Sequence, residues 1–195
     1  LVFASNNQHK VDEVQAIIGS TITLKSLNDI GCLEEIPETG STLAENSFQK
    51  ARYIAERFQV SCLADDSGLE VEALGGAPGV YSARYAGEPK NDQANLQLLL
   101  THLIGLANRN ARFVTVLTYF ASGCYHSFEG EIKGSIVEVP RGSHGFGYDP
   151  IFQPDGGLKT FAEMTLQEKN KIAHRARALE KFKNFLDETQ KCVDE

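Results

Sequence analysis

Arg112-Phe113-Val114-Thr115-Val116-Leu117-Thr118-Tyr119-Phe120, carried on through Ala121-Ser122-Gly123-Cys124 to Tyr125-His126-Ser127-Phe128, decides the fold class. The first nine residues are β-branched and aromatic, and Ser122-Gly123 supplies a turn, so the spacing predicts a hairpin. Glu131 to Val139, rich in Ile and Val, reads as a further strand. A purely parallel sheet needs a crossover helix between neighbouring strands, and that alternation stops after Ile104.

Helical and strand patterns lie on both sides of this meander. Leu1-Val2-Phe3-Ala4 is a short apolar strand, and Ser5-Asn6-Asn7 a turn or cap. Val11, Val14, Ile17 and Ile18 give Lys10–Ile18 helical spacing, with Gly19 as the stop. Ile22 to Leu27 reads as a second strand, and Asn28 to Ser41 as irregular chain rich in acids, Gly and Pro. Thr42-Leu43-Ala44-Glu45 fits a capping box. The helix behind it buries Ala44, Phe48, Ala51, Ala55 and Phe58. Leu74 to Val80 is too rich in Gly and Pro for a regular element, and Asp92–Ile104 carries a leucine face. After the Gly-rich loop Gly142–Gly147, a second capping box, Thr165-Leu166-Gln167-Glu168, opens a last helix running to near Asp187. The expectation is an α/β protein, a mixed central β-sheet flanked by helices, forming a single domain over residues 1–195.

Composition narrows the function. The 195 residues are 42% hydrophobic, enough for a sizeable core, and no stretch approaches a membrane span or reads as a signal segment. Leu1 already lies in an apolar run, so a start Met is expected ahead of it. Cys32, Cys62, Cys124 and Cys192 are scattered without a CxxC, which points to a reduced, cytoplasmic protein. The five histidines show no zinc spacing. A net charge of −7 argues against nucleic acid as a bulk partner but permits a small anion where cations gather.

Leu63-Ala64-Asp65-Asp66-Ser67-Gly68-Leu69 places two acids after an apolar strand and before Ser-Gly, read here as the turn that ends it. Acids at a strand tip suit a hard cation such as Mg²⁺, although Asp-Ser-Gly is also an ordinary turn. Ser5-Asn6-Asn7-Gln8-His9-Lys10 leads from a strand into a helix. It reads as a phosphate cradle or as a plain helix cap, and it lacks the glycines of a P-loop. The acidic loop Glu34 to Gly40 holds three acids, Glu34, Glu35 and Glu38, one of them able to reach a metal held by Asp66, or all of them solvated. Lys50 sits at the edge of an apolar helix face. Gly145-Phe146-Gly147-Tyr148-Asp149-Pro150 offers aromatic rings among glycines, a shelf for a base or a loop closed by buried aromatics. Lys169, His174 and Arg175 lie near the start of the last helix. An acidic metal site, separate cations and an aromatic shelf together are what a nucleoside triphosphate with Mg²⁺ requires.

These motifs, with Glu45-Asn46, Leu74 to Gly79, Tyr81-Ser82-Ala83-Arg84-Tyr85 and Glu168-Lys169, run in order along essentially the whole chain. The chain thereby resembles the inosine/xanthosine triphosphate pyrophosphatases, house-cleaning enzymes of the purine nucleotide pool. It departs from that pattern at Ala173, where bacterial members carry Ser before His-Arg, and at Asn6, where many carry Gly. The resemblance implies an elongated two-lobed fold with a cleft between lobes, and a homodimer. It implies Mg²⁺-dependent hydrolysis of dITP, ITP and XTP to the monophosphate and pyrophosphate. It places the phosphates on Ser5, Asn6, Asn7, Gln8, His9 and Lys10, and Mg²⁺ on Glu38 and Asp66, with Asp66 also the catalytic proton acceptor. It places Ser67, Lys50 and Lys169 on the substrate, and Phe146, Gly147, Tyr148, Asp149, His174 and Arg175 around the base. A carboxylate bound to Mg²⁺ is a weakened base, so Asp65 or a metal-bound water stays open as an alternative to Asp66.

Overall fold

A computed structural model describes residues 1–19 and 22–193, with the side chains of 190–193 left aside. Five strands form one sheet in the order β1 (Val2–Phe3), β2 (Cys62–Val71), β3 (Asn110–Ala121), β4 (Cys124–Ile136) and β5 (Phe152–Pro154). β1 pairs with β2 in parallel, and β4 with β5 antiparallel, so the sheet is mixed as expected. Among the described residues five α-helices accompany it: α1 (Gln8–Ile18), α2 (Leu43–Phe58), α3 (Asp92–His102), α4 (Leu166–Asn170) and α5 (His174–Val193).

The hairpin forms where the sequence places it. Ser122 and Gly123 both have positive φ, 51° and 79°, as a two-residue primed turn requires. Both capping boxes form, with Thr42 and Glu45 at α2 and Thr165 and Glu168 at α4.

Four expectations need correction, and one strand was not foreseen. β2 does not end at Ser67-Gly68 but runs through them for 10 residues. Gly68 serves close approach instead of turning: a Cβ there would stand 2.5 Å from the Gly79 carbonyl oxygen. Ile22 to Leu27 is no strand, because β1 is two residues long and offers pairing only at Lys25. Tyr125–Phe128 and Glu131–Val139 are one strand, β4, ending at Ile136. The last helix is two, interrupted at 171–173, where Ala173 sinks into the core at 2% exposure. β5 went unpredicted; it is three residues long and ends in Pro154.

Two compact units share the chain. The first comprises Leu1–Asp66, Thr115–Gly130 and Arg175–Glu195, and the second Ser67–Val114 and Glu131–His174. The first has a core on each face of its strands. Val2, Ala4, Cys62 and Ala64 pack with Ala51 and Ile54 of α2, while Phe3 and Leu63 pack with Val14 of α1 and Leu179 and Phe182 of α5. The second unit has one core, built on Leu69, Leu96, Leu99, Phe113, Ile151, Phe152 and Phe161.

Among the described residues no helix is long and apolar enough to cross a membrane. Cys32 and Cys62 are buried free thiols and Cys124 an exposed one, whereas the side chain of Cys192 lies outside the described residues.

Candidate active site

Successive side chains of a strand point to opposite faces, so Asp65 and Asp66 in the middle of β2 cannot act as a pair. Asp66 follows Cys62 and Ala64 toward α2. Its Oδ1 accepts from Lys50 Nζ at 2.9 Å and its Oδ2 from Asn46 Nδ2 at 3.4 Å. Asp65 follows Leu63 toward α1 and α5. Its Oδ1 accepts from Lys10 Nζ at 3.1 Å, and its Oδ2 from Arg175 Nε and Nη2 at 3.2 and 3.0 Å.

The two environments separate the acids chemically. Burial disfavours charge on Asp65, but Lys10, Arg175 and Lys50 outweigh it and hold its carboxyl far below the usual range. For Asp66 burial prevails over Lys50 and Lys10, and its pKa is raised. Asp65 is thus a fixed anion and Asp66 the better proton acceptor.

Lys50 is reached from a third element. Glu38, in the loop before α2, accepts from Lys50 Nζ at 2.5 Å. Burial opposes the lysine charge, yet Asp66, Glu38 and Asp65 together hold its pKa above the ordinary value. The loop is positioned by Gly40, whose N–H donates to Asn46 Oδ1 at 2.7 Å. A Cβ at Gly40 would meet Glu45 Cβ at 2.6 Å. Carboxylate oxygens of Glu38 and Asp66 therefore converge on one cation. Among the described residues no group of three His, Cys, Asp or Glu side chains is placed to hold a metal. Two carboxylates are nonetheless the set Mg²⁺ uses when substrate phosphates and water complete its shell, so the pair fits that ion.

The Ser5–Lys10 segment is a helix start whose donors are partly used. Asn7 caps α1, its Oδ1 accepting from the N–H groups of His9 at 3.1 Å and Lys10 at 3.4 Å. Ser5 Oγ accepts from Asn7 N at 3.2 Å, and Gln8 donates to Asp12. Asn6, Gln8 and His9 are exposed. Lys10 carries the segment's charge inward, though burial lowers its pKa more than Asp65 raises it.

The second unit builds a different surface. Asp149 Oδ2 accepts from Lys169 Nζ at 2.6 Å and from Phe146 N at 3.0 Å, and Lys169 and Asp149 are both buried. Lys169 Nζ also lies 5.1 Å from the Phe146 ring centre and 5.3 Å from that of Phe161. Tyr148 is buried, and its hydroxyl donates to the Ser82 carbonyl at 2.8 Å. His174 stacks on Phe113, with centroids 4.8 Å apart and planes at 11°. Ser67 is half-buried at the start of this unit.

Arg175, expected around a base, is held in the charged cluster beside β2. It is 1% exposed, and its guanidinium engages Asp65 and, through Nη1, Glu13. The planar fork finds two carboxylates there, which a buried guanidinium needs. Asp149, also expected beside a base, has its Oδ2 on Lys169 and on the Phe146 N–H. Sequence inspection missed Glu13, a buried acid three residues from Lys10 on α1, whose helical spacing from Lys10 was the available signal. Asn46, Phe113 and Phe161 were also missed as site residues.

Residues 1–185 match the family model described as the Ham1 family. The "dITP/XTP pyrophosphatase" of Flavobacterium psychrophilum is 50% identical over 185 residues, covering 95% of this chain and 97% of that one. The Bacillus subtilis protein of the same name is 47% identical, covering 95% and 96%. The solved Staphylococcus aureus Ham1 protein superposes with a TM-score of 0.88 at 39% identity, covering 96% of this chain and 98% of that one. The nucleoside-triphosphatase / dITP/XTP pyrophosphatase of Mycobacterium abscessus gives 0.76 at 43% identity, covering 93% and 97%. With the family model spanning nearly all of it and relatives at half identity over their full length, the chain belongs to the Ham1 family.

Proposed function

We propose that this protein is a Mg²⁺-dependent nucleoside triphosphate pyrophosphatase. It takes deaminated purine nucleotides (dITP, ITP and XTP) to the monophosphate and pyrophosphate, and so clears them before incorporation into DNA or RNA. The catalytic domain spans residues 1–195. The observation that carries this is the convergence of Glu38 and Asp66 on Lys50, beside an Asp65 neutralised by Lys10 and Arg175.

Glu38 and Asp66 are the residues that would hold Mg²⁺, which when bound offsets phosphate charge and polarises the scissile anhydride. Asp66 accepts the proton of the attacking water; burial strengthens it as a base, and a bound cation would weaken it. Lys50 and Lys10 balance the growing charge on the leaving pyrophosphate. Asp65 is too weak a base for proton transfer and instead keeps Lys10 in place. The Ser5–Lys10 segment takes the phosphate end and Ser67 the sugar-phosphate. The base falls to the Phe146 ring and Lys169. A purine with a 6-oxo acceptor satisfies the donor-only ammonium of Lys169, whereas the amino group of adenine faces it donor to donor.

The same reading makes the protein a cytoplasmic homodimer that takes no nucleic acid or membrane partner. The net charge of −7 supports the exclusion of nucleic acid, and light scattering on the purified protein tests the dimer. The activity is tested by incubation with Mg²⁺ and dITP. Pyrophosphate and dIMP are expected in equal amounts, and release of inorganic phosphate with dIDP would rule the proposal out.

A further inference from the structure

We infer that Asp92 is a positioning residue for base selection, a role that rests on the pyrophosphatase function proposed above. Asp92 opens α3, yet its carboxylate serves a segment 55 residues away, accepting from the Gly147 N–H at 3.0 Å. The helix does not require that side chain as its cap. Asn91 fills the position, its Oδ1 accepting from Ala94 N at 2.9 Å. Gly147 is left-handed, with φ of 59°, directly after Phe146.

Side chains tie the loop down at three successive residues. Asp149 accepts from Phe146 N, Asp92 from Gly147 N, and Tyr148 donates its hydroxyl to Ser82. At Gly145 a Cβ would collide with Asp149 Oδ2, so the turn closes without slack. The Phe146 ring is one residue from the Asp92 bond and lies against Lys169 Nζ. Rotation of the peptide before Gly147 therefore moves the shelf relative to the ammonium. Asp92 fixes that rotation from a rigid helix end, and its negative charge is favoured there by the helix dipole.

Steady-state kinetics on dITP and dATP test this in Asp92→Ala, Asp92→Asn and Asn91→Ala. Asp92→Ala is expected to raise KM for dITP about tenfold and to narrow the dITP preference about as much, with kcat within about threefold. Asp92→Asn keeps an oxygen acceptor and should restore both. Asn91→Ala should lower the melting temperature and leave the preference intact. Wild-type KM and preference in Asp92→Ala would overturn the inference. So would Asp92→Asn as impaired as Asp92→Ala, or an Asn91→Ala variant that loses the preference as well. If Asp92→Ala gives no cooperative melt, Asp92→Ser replaces it, keeping a helix-start hydroxyl one atom short of the carboxylate's reach. Failure of the wild-type protein to release pyrophosphate from dITP would fall on the proposed function, separately from these variants.

Discussion

The charged cluster around β2 and the aromatic loop of the second unit solve opposite problems. In the first, Glu13, Glu38, Asp65 and Asp66 face Lys10, Lys50 and Arg175, and most of these groups are buried. In the second, the ion pair Lys169–Asp149 sits among Phe113, Phe146 and Phe161. The first arrangement fixes protonation states and, under the proposed function, supplies cations where phosphate charge develops. The second holds one buried ion pair against aromatic rings. Under the proposed function, chemistry and selection fall to different kinds of force: Coulombic attraction in one unit, packing with a donor in the other.

Asp66→Asn gives the sharpest test of this contrast. It should cut turnover by about a thousandfold or more while circular dichroism and melting stay near wild type. Full activity in that variant would remove the proton acceptor from the cluster. Asp65→Asn should act on stability instead, because it takes from Lys10 its carboxylate and leaves Arg175 with Glu13 alone. A loss of about 3–5 kcal/mol is expected in urea unfolding. Its pH dependence has a definite sign. Asp65 has a folded pKa below its unfolded one, so its contribution is complete above the unfolded value of about 4 and fades as the pH falls below that. Wild type should therefore lose stability on acidification through this range more steeply than Asp65→Asn.

Lys169→Met should cost less, about 2 kcal/mol, because Asp149 keeps its bond from Phe146 N. A loss matching that of Asp65→Asn would show the second unit to be as dependent on charge as the first. Phe146→Ala is the mildest, raising KM for dITP about tenfold through lost stacking with little change in melting temperature. A collapse of kcat there would break the division between chemistry and selection.

Much of this was legible in the sequence where the signal is local. Ser122-Gly123 between β-branched runs dictates its hairpin, and Thr42 with Glu45 dictates the start of α2. The convergence of Glu38, Lys50 and Asp66 was visible only as a family pattern, since nothing in the spacing of a loop, a helix and a strand brings them together. The Arg175–Glu13 contact joins residues 162 apart, and a buried ion pair leaves no periodic trace. Ser67-Gly68 misled because the same dipeptide serves a turn and a crowded strand. Only the Gly79 carbonyl, supplied by the fold, tells them apart.

The extended backbone through Asp65 and Asp66 has a consequence for how this chain tolerates change. Removing one residue from the strand ahead of them would exchange their faces and turn the apolar side chains of Cys62, Leu63 and Ala64 about as well. The anchored anion and the proton acceptor would trade neighbours at a stroke. Removing two would restore the facing but shift the pairing with Val2 and Phe3. In this stretch a single-codon deletion is therefore expected to be worse than most substitutions.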